Sequence, residues 1–318
     1  MGMSEGNQSL SKYRATSFDG FTGKNEKVSS LIEQALPSGV VVLRPFTSFL
    51  RFPELNYGFS SSNDSRYRNY AFPYGTYDDV MQNRHELAEV MGVNVANGVF
   101  MRPVHGRRIT YVGQMNRGAG VYEASTAVQS TDGLITQDRD VLLGLNAADC
   151  VPMMSYVPKR KIAGLTHAGR EGTNLNIAAQ NINAMKLLGV DPEDIFIGIG
   201  PSIEQSCYEL PYFISTDPEN DLKYIDPSVA TGELELTKDE SGKTKISPKH
   251  APFVTIDIVA KNIDQLVSSG VPIENIENAG ICTREEALAG RMPSHLVSRL
   301  DPQRYPEGRF AAWVQING

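Results

Sequence analysis

The residues best suited to chemistry in this chain gather around one cysteine. Cys150 lies in Leu143-Gly-Leu-Asn-Ala-Ala-Asp149-Cys150-Val-Pro-Met153, and His167 follows in Ile162-Ala-Gly-Leu-Thr-His167-Ala-Gly169. Both runs are strand-like, and they flank Val157-Pro-Lys-Arg-Lys161, which reads as a turn. A turn centred between Pro158 and Lys159 would set Cys150 directly opposite His167 in an antiparallel pair. Opposed residues have Cβ atoms about 4.5–5.5 Å apart, and a diagonal pair about 7–8 Å. At that separation a thiolate and an imidazole can share one metal ion or form a nucleophile–base pair. Asp149 would then point to the opposite face. His105, in Arg102-Pro-Val-His105-Gly106 at a strand end, is the third candidate. An isolated histidine is more often hydrogen-bonded or exposed than a ligand, so spacing alone ranks it below the other two.

The turn at Ala168-Gly169 leads towards a helix expected to start near Thr173 or Asn174, either of which is a good N-cap. The free N–H groups of such a helix start suit an anion. Cys207 and Cys282 read as small buried apolar side chains, the usual fate of a free cysteine. His85, His250 and His295 rank below the central three.

The elements that must hold these residues follow from periodicity. Val80, Leu87, Ala88 and Met91 share one face of a helix expected over Tyr77–Met91. Residues 174–200 and 257–282 echo each other: an amphipathic helix, a Gly-Val stop at Gly189 or Gly270, an acidic turn with proline, then a short strand. Strands are expected over 39–49, 98–104, 108–113, 141–145, 162–166, 195–199 and 276–281. Strands outnumber helices without alternating strictly with them, which favours α+β over a doubly wound sheet. Residues 1–35 read as a tail and lead-in, 36–318 as a single domain, and the polar stretch at about 215–252 as a surface excursion from it.

Composition narrows the function classes. The 318 residues carry a formal charge of −7, and the basic clusters Arg102/Arg107/Arg108 and Lys159-Arg160-Lys161 are short. A nucleic-acid partner, which leaves a basic stripe, is not expected. No run approaches the roughly 20 apolar residues of a membrane helix, and Met1 to Lys12 lacks the apolar core of a signal peptide. Three widely spaced cysteines exclude a fully paired disulfide framework and fit a reducing, cytoplasmic setting.

Several short motifs in order add a resemblance. Val104-His105-Gly106, Thr131-Asp-Gly-Leu-Ile-Thr136, Ala148-Asp-Cys150-Val-Pro152, His167-Ala-Gly169, Ile199-Gly-Pro-Ser-Ile203, Ser206-Cys-Tyr-Glu209, Cys282-Thr283 and Gly308-Arg309 occur in that order. With Tyr57-Gly-Phe-Ser60 and the pair Asn83-Arg84, they resemble the laccase-domain, or YfiH-like, family, known variously as polyphenol oxidase and purine nucleoside phosphorylase. The resemblance covers roughly residues 55 to 316. It implies a four-layer α/β/β/α sandwich with mixed sheets, and a metal site of His105, Cys150 and His167. Three protein ligands suit a catalytic zinc with an open fourth position, and copper is possible at so soft a site.

The implied activity is phosphorolysis of adenosine, inosine, guanosine or methylthioadenosine, deamination of adenosine, or both. The partners are then a purine nucleoside and phosphate, with the protein a monomer or homodimer. Arg84, Arg309, Asn83 and Arg170 are the candidates for holding substrate or phosphate, since guanidinium forks fit oxyanions. Two alternatives belong to other classes: a copper-dependent polyphenol oxidoreductase, and a metal-free Cys–His amide hydrolase editing peptidoglycan precursors. Against the family pattern His-Ala-Gly-Trp-Arg/Lys-Gly, this chain has His167-Ala-Gly-Arg170-Glu171-Gly172, an acidic residue where a base is usual. Pro103 replaces the usual glutamine, and the aromatic stretch near the C-terminus is reduced to Leu296-Val-Ser298-Arg299-Leu300.

Overall fold

The structure, a computed structural model, describes residues 32–64, 68–215, 217–226, 234–249 and 251–318. The chain divides into two compact units, and the larger takes residues 28–207 and 258–318. Its first sheet runs, in spatial order, β1 (Ile32–Ala35), β2 (Val40–Arg44), β3 (Leu55–Ser62), β19 (Phe310–Ile316), β8 (Leu142–Ala147), β4 (Gly98–Arg102) and β6 (Val128–Gln129). Its second runs β18 (Ile276–Asn278), β11 (Phe196–Ile199), β9 (Val151–Val157), β10 (Ile162–Ala168), β7 (Gly133–Thr136) and β5 (Ile109–Tyr111). Both are mixed: β8–β4, β4–β6, β11–β18 and β5–β7 pair in parallel, and the other neighbours are antiparallel.

The strands β2, β8 and β19 of the first sheet are buried on both faces, which is why they are near-continuous apolar runs instead of alternating ones. Period two sorts the side chains into separate cores. Val41, Leu43, Leu143, Leu145, Ala312 and Val314 face the second sheet's Met154, Tyr156, Ala163 and Leu165. Val40, Val42, Leu142, Ala311 and Trp313 join Leu87, Ala88 and Met91 from helix α1 (Tyr77–Met91). Each fully buried side chain of this kind contributes roughly 1.5–3 kcal/mol. Thr76 caps α1 by accepting from the Asp79 amide, and Gly92 ends it in the left-handed region at φ 67°. The expected bounds of this helix and the observed ones coincide.

On the outer side of the second sheet lie α2 (Arg170–Asn174), α3 (Ile177–Leu187) and α5 (Ile258–Ser268), with α3 packed on β10 and against α5. The result is the expected four-layer α/β/β/α sandwich with mixed sheets. The sequence echo is also physical: the strands that follow α3 and α5, β11 and β18, pair with Ile197 opposite Ile276. Two short helices, α6 (Thr283–Leu288) and α7 (His295–Leu300), precede the last strand.

Three expectations gain detail from the structure. The first sheet begins at Ile32, paired with Arg44, so the lead-in assigned to residues 1–35 already contains a strand; residues 1–31 lie outside the described ones. The helix expected from near Thr173 or Asn174 is α3, which begins at Ile177 after its N-cap Asn176, and a separate short helix, α2, with Gly169 as N-cap, precedes it. The stretch read as a surface excursion at 215–252 falls in the smaller compact unit, 208–257. There β12 (Glu209–Leu210), β17 (Val254–Ile256) and β14 (Ile225–Asp226) form one sheet, and β13 (Phe213–Ser215), β16 (Thr244–Pro248) and β15 (Leu234–Lys238) another. A single turn of helix, α4 (Pro218–Asp221), completes it. Phe213, Tyr224, Ile225, Ile246, Val254 and Ile256 are its buried apolar positions. Alternation with charged residues hid them in the overall polarity.

Candidate metal centre

Two of the three central residues sit where the chain crosses from one sheet to the other. His105 lies between β4 and β5, and Cys150 between β8 and β9. His167 is the penultimate residue of β10. The pairing differs from the expected one by two residues: His167 faces Pro152, and Cys150 lies just before β9 begins. The turn is displaced because Lys161, at φ 52°, closes it one residue later than the symmetric reading assumed. Cys150 is therefore diagonal to His167, which still leaves the groups within reach of each other.

The structure brings the three together. Their ligand atoms, one imidazole nitrogen from each histidine and the Cys150 sulfur, all lie within 4.8 Å of one another. The two imidazoles meet edge to face, with centroids 4.9 Å apart. His105 is exposed, Cys150 half-buried and His167 buried, so the group opens to solvent on the His105 side. Two backbone outliers shape it: His105 at φ 57° and Asp149 at φ 74°. Non-glycine residues adopt this region at a cost, and such strain concentrates at functional sites.

Each strained residue is held by specific bonds. Asp149, directed away from the cluster, accepts from the Thr283 hydroxyl at 2.7 Å and the Leu296 amide at 2.7 Å, which fixes the backbone before Cys150. The loop carrying His105 is tied to Asp132, whose carboxylate accepts from the Val104 amide at 3.2 Å and the Gly106 amide at 2.8 Å. The same carboxylate lies 3.1 Å from His167 Nδ1, which leaves Nε2 for a ligand. A carboxylate behind a ligating histidine is the usual outer-shell support of a metal site. Asp132 was not among the residues expected from spacing, although it lies within the Thr131-to-Thr136 motif; only the fold reveals that it supports both His167 and the His105 loop.

The charges of these groups depend on one another. Burial opposes the charge on Asp132, but the His167 ring and the Gly106 and Val104 amides outweigh it and hold its pKa below the ordinary carboxylate value. Burial likewise disfavours the His167 imidazolium, yet Cys150 and Asp132 prevail and raise its pKa to about 9. His105 moves the other way, lowered first by burial and then by the charge of His167. Gly169 supplies the remaining requirement. A Cβ there would come 2.4 Å from His105 Nδ1 and 3.1 Å from the Cys150 sulfur, so only glycine leaves the cluster its room. Soft sulfur and two imidazoles on a small, supported cradle fit zinc or copper.

The residues expected to hold phosphate are arranged differently. Arg84 is only 2% exposed. Its guanidinium donates to the carbonyls of Tyr70, Gly120 and Val121 and lies between the rings of Phe72 and Phe100, at 4.5 and 4.3 Å. Those contacts belong to a structural arginine. Asn83 bridges Arg68 and the Asn69 carbonyl, at 3.1 and 2.9 Å. Arg309 is paired with Glu307 and donates to the Tyr74 hydroxyl at 3.0 Å. Arg170 differs, since it opens α2 beside the cluster and contributes to the field at His105 together with Glu171. His295 is bonded to Glu307 at 3.0 Å, and His250 lies outside the described residues. Among the described residues, His105, Cys150 and His167 form the one group of three or more such ligands. No helix there is long and apolar enough to cross a membrane.

Comparison with known proteins adds a family. A family model described as "Multi-copper polyphenol oxidoreductase laccase" matches residues 56–316. A purine nucleoside phosphorylase, YlmD of Bacillus subtilis, is 31% identical over 209 residues, covering 65% of this chain and 69% of its own. An adenosine deaminase, RL5, from an unknown prokaryotic organism, is 28% identical over 207 residues, covering 65% of this chain and 73% of its own. The crystal structure of YlmD from Geobacillus stearothermophilus superposes with a TM-score of 0.71 at 27% identity, covering 91% of this chain and all of that one.

Proposed function

This chain belongs to the multi-copper polyphenol oxidoreductase laccase family, and from that premise we propose that it is a zinc-dependent enzyme of purine nucleosides whose main reaction is deamination of adenosine. The observation that carries the reading is the His105–Cys150–His167 cluster, with ligand atoms within 4.8 Å and a carboxylate behind it. A zinc ion held there would supply Lewis acidity and bring the pKa of a water down to about 7. The chain's own residues do the rest. Asp132 fixes the His167 ring through Nδ1 and the His105 loop through the Gly106 amide. Gly169 keeps the approach clear, and the exposed side at His105 admits the substrate. In deamination, water adds at the purine carbon bearing the amino group and ammonia leaves.

Two features favour deamination over phosphorolysis. Glu171 lies in the first turn of α2, within the field of His105, and a carboxylate there repels a phosphate dianion. Of the four candidate phosphate holders, Arg84, Arg309 and Asn83 are committed to other partners. Phosphorolysis remains the second reading, favoured by Arg170 beside the cluster and by the name of the Bacillus subtilis relative. A polyphenol oxidase with several coppers needs several ligand clusters, and the described residues supply one. The reading places the protein in the cytoplasm, where purine nucleosides are met.

Incubating the zinc-loaded protein with adenosine, with and without phosphate, tests this. Inosine and ammonia formed at the same rate in both samples is the expected result. Adenine and ribose 1-phosphate formed only with phosphate would replace it with the second reading, and no turnover of adenosine would overturn both.

A further inference from the structure

A second sulfur site lies outside the metal cluster. Cys282 is 3% exposed and caps α6, while Cys207 ends a single 3-10 turn, Gln205–Cys207, and is half-buried. Although they are 75 positions apart in the chain, their segments meet: Cys282 is bridged to Ser202, Arg284 reaches the Cys207 carbonyl, and the two thiols influence each other's charge.

The backbone holds them together from both sides. Ser202 and Cys282 form a parallel bridge, in which the Ser202 amide donates to the Ile281 carbonyl at 3.1 Å and the Thr283 amide to the Ser202 carbonyl at 3.0 Å. The Cys207 amide donates to the Glu204 carbonyl at 3.0 Å, and Arg284 reaches the Cys207 carbonyl at 3.4 Å. The Cys282 sulfur also receives the N–H groups of Glu204 and Glu285, one from each segment. None of these contacts serves the metal cluster, and the family reading does not use the pair.

We propose that Cys207 and Cys282 are a reversible dithiol–disulfide pair, a site of oxidation by hydroperoxides separate from the metal-binding Cys150. Exposure gives the order of events. The Cys207 thiolate attacks the peroxide, an S–O bond forms, the O–O bond breaks, and the departing oxygen leaves as hydroxide. The Cys282 sulfur then displaces hydroxide from the Cys207 sulfenic acid. The S–S bond forms as the S–O bond breaks, and the Cys282 proton leaves with the hydroxide as water. Two thiols have lost two electrons to one peroxide. Burial pushes the Cys282 thiol up to about 11, which suits the resolving partner better than the attacking one. A disulfide needs Cβ atoms roughly 3.5–4.5 Å apart, and the Ser202–Cys282 bridge with the Arg284 bond to the Cys207 carbonyl holds the two segments side by side for it.

The sequence makes the test direct, because trypsin puts each cysteine in its own peptide: 140–159 for Cys150, 187–223 for Cys207 and 262–284 for Cys282. The full-length, metal-loaded protein is treated with hydrogen peroxide, free thiols are alkylated, and the digest is weighed. The expected product is peptide 187–223 joined to 262–284, lighter than their sum by two hydrogens and lost on treatment with dithiothreitol. In Cys282→Ala the joined peptide is absent and Cys207 proceeds to sulfinic acid. Wild-type protein giving Cys207 sulfinic acid beside an intact Cys282 thiol would overturn the proposal. So would two unreacted thiols, or a disulfide involving Cys150.

Discussion

The Asp132 carboxylate lies 3.1 Å from Nδ1 of His167 and, through its other oxygen, accepts the Gly106 amide at 2.8 Å. One buried group thus orients one prospective ligand directly and another through the backbone that follows it. The position of Asp132 ahead of β7 makes this possible, because its own carbonyl also accepts the His167 amide at 2.7 Å. The candidate metal centre is in this sense assembled around a carboxylate outside the His105, Cys150 and His167 group.

Replacing that carboxylate with an amide tests its importance. Asp132→Asn keeps the volume but places an N–H group towards some of the donors, and removes the charge that favours the His167 orientation. Outer-shell changes of this kind cost roughly 10–100-fold in metal affinity or activity. Competitive zinc titration should show such a loss with the fold retained. An unchanged affinity would remove Asp132 from the site.

Gly169→Ala probes the cradle. The added methyl would stand 2.4 Å from His105 Nδ1 and 3.1 Å from the Cys150 sulfur. His105 or the start of α2 must then move, and metal binding should weaken at least tenfold. Gly118→Ala, with nothing within 4 Å but φ at 89°, is the comparison: it should lower stability slightly and leave metal binding alone. Equal effects on metal binding would show that Gly169 matters only for its backbone.

Arg84 separates a structural role from a phosphate-binding one. Arg84→Ala would leave the carbonyls of Tyr70, Gly120 and Val121 without their donor and open a cavity between Phe72 and Phe100. The loss of stability should be on the order of 3–5 kcal/mol, visible in chemical denaturation. A variant of normal stability with a raised requirement for phosphate would instead restore Arg84 to the substrate site.

Glu54 gives a pH signature. Its carboxylate is paired with Lys161 and accepts from the Tyr156 hydroxyl at 2.6 Å, and these partners, Lys161 first, lower its pKa from 4.5 to about 2. A carboxylate with a depressed folded pKa stabilises the protein above its unfolded value and loses that contribution as pH falls. Wild type should therefore lose stability relative to Glu54→Gln as pH drops from about 4.5 towards 2. Parallel stability curves for the two proteins would contradict the assignment.

Much of this architecture is legible in the sequence, for identifiable reasons. The Tyr77–Met91 helix and the echo of α3–β11 in α5–β18 announce themselves through apolar spacing and glycine stops, which are local signals. The Cys150–His167 proximity follows from pairing two strands across a short turn, and a register error of two residues still leaves them diagonal. What escaped was non-local. Asp132 is 27 positions from His105 and 35 from His167, and nothing in its own neighbourhood marks it as a shared support. Arg84 looks like an anion binder by residue type alone, and only burial between two aromatic rings turns it into a structural residue. The short helix α2, which precedes the expected one, also escaped: its N-cap is Gly169, whose lack of a side chain leaves room at the candidate metal cluster.

The central claim is that metal held by His105, Cys150 and His167 drives turnover of a purine nucleoside. Elemental analysis of wild type and Cys150→Ala, paired with an adenosine assay on the same samples, tests it most directly. Wild type should carry about one zinc per chain, as a three-ligand site holds, and form inosine, while the variant should lose metal and turnover together at unchanged thermal stability. A Cys150→Ala protein that is free of metal and still converts adenosine would contradict the account.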